Sequence, residues 1–145
     1  MLLRFCAGLI LLLSGSNFLG QVEPPGCLSY EPAVVFIHGT LTRKTLPGPP
    51  NYEDIREGDA AETSWFLKLD RPICVNEDKS EPDLNPGQKN IRRVQLVFDA
   101  EACDTYKVLL GQPVVARGTL FGSHTGHHHT PVLLTVTHIE RAHSK

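Results

Sequence analysis

Long hydrophobic runs are missing from this 145-residue chain. The longest, Phe5 to Leu13, falls far short of the roughly 20 residues that span a bilayer, which excludes a transmembrane segment from the mature chain. Blocks of basic residues are missing too. Lys and Arg number 14 against 16 Asp and Glu, for a net charge of -2, and no long basic block is present, which argues against nucleic acid as a partner. There is no Gly-x-Ser-x-Gly elbow, no phosphate-cradling glycine loop and no dinucleotide fingerprint. Ser123 stands directly beside His124, too close along the chain for a nucleophile and its base. These gaps argue against an enzyme. Aromatic residues make up only 7%, so the core has to be built from the plentiful Val, Leu and Ile.

What is present begins with an export signal. Arg4 precedes the apolar run, and Ser14, Gly15 and Ser16 follow it as the small residues a signal peptidase reads. Residues 1–20 are therefore expected to be a signal peptide and 21–145 one domain, of a size that supports a single core. The expected location is outside the cytoplasm, the periplasm ahead of the extracellular medium. Removing the signal removes Cys6 and leaves Cys27, Cys74 and Cys103, two of which should pair in an oxidising compartment.

The periodicity of the mature chain is that of strands. Ala33 to Thr42 is β-branched and apolar, with Gly39 where a strand would bend. Pro47 to Glu62 reads as a long acidic loop, and Thr63 to Asp70, continued through Val75, as a second strand. A polar loop precedes a third strand over Ile91 to Phe98 with a basic outer face. Asp99 caps an expected helix from Ala100 to Leu110, stopped by Gly111. Strands four and five are Pro113 to Phe121 and Pro131 to Ile139. The order β-β-β-α-β-β predicts an all-β domain with one short helix, a small OB-fold-like five-stranded Greek-key barrel. Val34-Val35 leading to Gly39-Thr-Leu41 echoes Val114-Val115 leading to Gly118-Thr-Leu120, and an OB barrel places the first and fourth strands side by side. Pairing of strands one and two brings Cys27 and Cys74 to the same end of the hairpin. That makes a Cys27–Cys74 disulfide the expected bridge, its α-carbons within about 7 Å, and leaves Cys103 as a buried apolar thiol.

Leu28-Ser-Tyr-Glu-Pro-Ala-Val-Val35, Pro47-Gly-Pro-Pro-Asn-Tyr-Glu53, Leu69-Asp-Arg-Pro-Ile-Cys-Val75 and Gly118-Thr-Leu-Phe121 through His127-His-His-Thr130 form long, unusual motifs across nearly the whole mature chain. In these the sequence resembles an exported bacterial family of unknown function. The resemblance implies a small exported bacterial domain and carries over no catalytic residue.

The densest chemistry lies between strands four and five, where His124, His127, His128 and His129 crowd one loop. Imidazole is the commonest protein ligand for zinc and related metals and the one side chain that titrates unaided near neutral pH. In an OB barrel this loop and the acidic loop after strand one flank the same binding face. If that face forms, His124, His127 and His129 with Glu62 and Asp59 could hold zinc or another transition metal, His127 and His129 pointing to the same side of an extended segment. The histidines could equally hydrogen-bond the opposite carboxylates and tie the two loops together in a pH-dependent way. Tyr52, Trp65 and Phe66 offer a ligand surface beside the acidic loop, with one of Trp65 and Phe66 filling the core and the other facing outward. The first expectation is thus a non-catalytic exported module that binds a small ligand, glycan or protein through the strand-two face and its flanking loops. The alternative is a metal-binding protein built on the histidine loop.

Overall fold

The computed structural model describes residues 26–143, and the expected signal peptide lies outside the described residues. Five strands and one short helix follow in the order β1 (Val34–Pro47), β2 (Ala61–Val75), β3 (Gln88–Val97), α1 (Ala100–Tyr106), β4 (Pro113–Gly122) and β5 (Val132–Arg141). The strands close into a barrel of order β1-β2-β3-β5-β4. Only β3 and β5 run parallel; every other neighbouring pair is antiparallel. This is the OB-fold-like architecture expected from the order of elements.

The first strand is longer than its apolar run. It pairs with β4 from Val34 to Thr40 and with β2 from Gly39 to Pro47, so it serves two neighbours in succession. Gly39 sits at the handover, where an added Cβ would collide with the carbonyl of Lys68, and only glycine lets the strand coil there. Its counterpart Gly118 faces the carbonyl of Thr135 at the register shift between β4 and β5. The helix is shorter than its pattern. Asp99 caps it by accepting from the Ala102 N–H at 2.8 Å, but α-helical bonding ends at Tyr106 and the chain tightens into a 3-10 turn over Lys107–Leu109. Such tightening is common in a last helical turn.

Alternation along each strand sends Val35, Ile37, Leu41, Leu67, Val94, Leu120 and Leu134 inward to one core. Cys103 packs against that core from α1 as a free, half-buried thiol. The expected disulfide is present, Cys27 to Cys74, with α-carbons 4.6 Å apart. The backbone on either side is bonded as well, Leu28 N–H to the Cys74 carbonyl and Asn76 N–H to the Leu28 carbonyl, each at 2.8 Å.

A second layer lies outside the barrel. Register places Thr42, Phe66, Gln95, Leu133 and Phe121 side by side across all five strands, each of opposite parity to its core neighbours. Phe66 is 1% and Leu133 0% exposed, although neither belongs to the core cluster. The expectation that one of Trp65 and Phe66 faces outward into solvent is therefore corrected. They do point to opposite faces, but both faces are covered here, and Phe66 lies under the Arg93 guanidinium at 4.8 Å. No helix among the described residues is long and apolar enough to cross a membrane.

Candidate functional site

The loop after β1 is organised from within by one carboxylate. Asp59, buried in the turn, accepts the N–H groups of Asn51 at 2.8 Å, Glu53 at 2.7 Å and Asp54 at 3.0 Å. These donors, the Asn51 amide first and the Glu53 amide next, hold its carboxyl below the usual aspartate range. Asp54 in turn caps a 3-10 turn over Ile55–Glu57 and accepts from Arg56. Glu62 is not part of this loop. The ladder Thr45–Thr63, Leu46–Glu62 and Pro47–Ala61 extends β1 and β2 past the barrel, so Glu62 sits on a strand with its carboxylate fixed at the rim.

The histidine loop, residues 123–131, is held down by Gln95. This buried amide on β3 donates to the His127 carbonyl at 2.8 Å and accepts from the His129 N–H at 2.6 Å. Thr130 adds a second anchor, its hydroxyl accepting from the Gln95 N–H at 3.0 Å and donating to the Val132 carbonyl at 2.7 Å. Within the loop, the His124 N–H donates to Nδ1 of His128 at 3.0 Å, and the His128 ring stands edge-on to Phe121 with centroids 5.5 Å apart.

The two loops meet at His127. Its Nδ1 lies 2.9 and 2.8 Å from the two carboxylate oxygens of Glu62, and its Nε2 lies 3.1 Å from the Tyr52 hydroxyl. Since a carboxylate only accepts, Nδ1 carries the proton in the neutral ring and Nε2 accepts from the tyrosine. Tyr52 holds a left-handed backbone, φ 62°, and its ring presses on Gly126, where any Cβ would lie 2.7 Å from the aromatic carbons. A strained aromatic and a bare glycine are thus both spent on one close contact between loops.

Beside this bridge opens a cleft of about 300 Å³ lined by Glu62, Trp65, Leu96, Phe98, Cys103 and His127, among others. Trp65 and Phe98 meet edge-on, centroids 5.5 Å apart, at its apolar floor. Of the expected surface, Trp65 lines the cleft, Tyr52 braces its rim and Phe66 is buried elsewhere. The expected metal ligands are dispersed. His127 and Glu62 are bonded to each other, both oxygens of Asp59 hold backbone amides, and Nδ1 of His124 lies 3.1 Å from the Gly122 carbonyl. His127 and His129 do not face the same side, because Gln95 grips the backbone between them and His129 enters a separate cleft with Arg92 and Arg93. Among the described residues no three His, Cys, Asp or Glu side chains are placed to share a metal.

Residues 93–140 match the family model of a domain of unknown function, DUF4431. No curated protein and no solved structure matches the chain. The DUF4431 match begins within β3, covers α1 and β4 and ends in β5, so Gln95 and the whole histidine loop fall inside it. Tyr52, Glu62 and Trp65 fall outside it, and the cleft is shared between the matched segment and the hairpin that precedes it.

His128 gives the site a dependence on acidity. Burial, and then the neighbouring charges of His124, His127 and His129, push its pKa below the ordinary histidine value. The unfolded chain therefore takes up the proton first. The His128 contribution to stability is complete above about pH 6.5 and falls as pH drops from there through the lower folded value. Protonation also removes the Nδ1 acceptor that the His124 amide uses. Amide protection across residues 123–131, measured against the intrinsic exchange rate at each pH, should consequently fall between pH 7.5 and 5.5, and a His128→Gln variant should lose most of that difference. Equal protection at both pH values in the parent chain would contradict this coupling.

Proposed function

We propose that the chain is a non-catalytic binding module whose ligand enters the cleft between the start of β2, the end of β3 and the histidine loop. The observation that carries this reading is the bridge Glu62–His127–Tyr52, which joins the loops at distances of 2.8 and 3.1 Å beside a cleft with an apolar floor. Few but convergent polar groups over an apolar base are what small-molecule sites share, and about 300 Å³ is at the small end of their range. A compact ligand is indicated, with one apolar face for Trp65 and Phe98 and hydrogen-bonding groups for the Glu62 and His127 rim. An exported sugar or short peptide has that chemistry.

Trp65 is the only tryptophan of the chain, so its fluorescence reports on the cleft directly. Titration with monosaccharides, disaccharides and dipeptides should give a saturable change for one class. His127→Ala should weaken it about tenfold, the size of one lost polar contact, and His38→Ala, on the exposed side of β1, should leave it unchanged. A fluorescence change that fails to saturate, or that is indifferent to His127→Ala, would place the ligand elsewhere.

A further inference from the structure

A second cleft, of about 250 Å³, lies on the other side of the Gln95 clamp and is lined by Lys89, Arg92, Arg93 and His129, with Asn90 and Thr130 between them. Three cationic residues and His129 line it, and none of the three cations is in a salt bridge among the described residues. Arg93 also stands directly across the β2–β3 ladder from Lys68, a like-charge pairing that costs stability unless an anion screens it. Independently, Nε2 of His129 is buried with no hydrogen-bond partner among the described residues. An orphaned buried polar atom is rare in folded proteins and calls for a partner. Asn90 adds a left-handed backbone, φ 54°, at the same place.

We infer that this cleft binds a small oxyanion of the phosphate or sulfate class. The donors suit one. Arg92 and Arg93 offer forked N–H groups and Lys89 a mobile ammonium, and the His129 side chain, with its unpartnered Nε2, lies beside them. The volume falls below the roughly 300 to 1,000 Å³ of drug-sized pockets, which fits a single compact anionic group. Gln95 fixes His129 by its backbone, so the imidazole is placed in this cleft by the same amide that places His127 in the other. One loop thereby serves two sites of opposite character, one rimmed by a carboxylate and one by cations.

Inorganic phosphate titrated into the folded chain at constant ionic strength, followed by NMR, tests this. Saturable shifts are expected at His129 and Arg92 with little change at His127, and Arg92→Gln or Lys89→Gln should weaken binding roughly tenfold each. Both positions are exposed, so these variants keep the fold, and an unchanged melting temperature checks it. Methyl phosphate run in parallel identifies the source: equal or tighter binding marks a terminal group of a larger ligand, and weaker binding marks the free ion. Shifts that chloride reproduces at the same ionic strength would overturn the inference. So would shifts centred on His127, or binding that both variants leave intact.

Discussion

Replacing Gln95 with leucine should detach the histidine loop from the barrel and lower stability by about 2 to 4 kcal/mol. The amide is buried and has two partners in the loop, the His127 carbonyl and the His129 N–H. Leucine fills the volume but satisfies neither, and two backbone groups left unpaired under cover each cost about 1 to 3 kcal/mol unless the loop lifts into water. Lifting exposes Gln95's place in the outer row, which is flanked by the buried Phe66 and Leu133, and that loses part of the same energy. Denaturant unfolding measures the total, and amide exchange shows where it falls. Fast exchange should be confined to residues 123–131 while β4 and β5 stay protected. A Gln95→Leu chain as stable as the parent would mean that the loop is held by something other than this amide.

Removing the disulfide should have an effect as large. Cys27 and Cys74 are 47 residues apart, and closing a loop of that length restricts the unfolded chain by about 4 kcal/mol in the chain-entropy model. The Cys27→Ser, Cys74→Ser double variant should therefore unfold at much lower denaturant, and reducing agent should lower the parent's stability to the same level. The bridge anchors the segment before β1 to the end of β2, so the loss should appear first as exchange at Leu28 and Asn76, whose amides bond across it. A double variant within about 1 kcal/mol of the parent would show that these backbone bonds and the packing of Tyr30 hold the segment unaided.

The barrel was legible because its strands alternate and its punctuation is strong. Valine pairs followed by Gly39 and Gly118 marked the two strands that must coil, and the positions of Cys27 and Cys74 suited the hairpin of strands one and two. The meeting of the two loops was legible too, since OB topology alone sets the histidine loop opposite the acidic one. What the residues could not reveal was which side chains meet. Asp59 and Glu62 look alike in sequence, yet one is consumed by three backbone amides and the other faces His127. His127 and His129 share a parity that an extended strand would honour, but the loop is not extended where Gln95 grips it. Gln95 itself reads as a polar outer position on β3, and nothing local shows that a loop thirty residues on folds back over it. For the same reason alternation on β2 predicts that one of Trp65 and Phe66 is exposed, when both faces of the strand are covered.

The central claim is that the β1–β2 hairpin is joined to the histidine loop at His127, through Tyr52 and Glu62, at the edge of the cleft. Imidazole nitrogen NMR of the full chain above neutral pH tests it most directly. A single tautomer is expected, with Nδ1 protonated towards Glu62 and Nε2 accepting from Tyr52, and both Glu62→Gln and Tyr52→Phe should shift the His127 nitrogens. A His127 ring that averages freely between tautomers and ignores both replacements would contradict it.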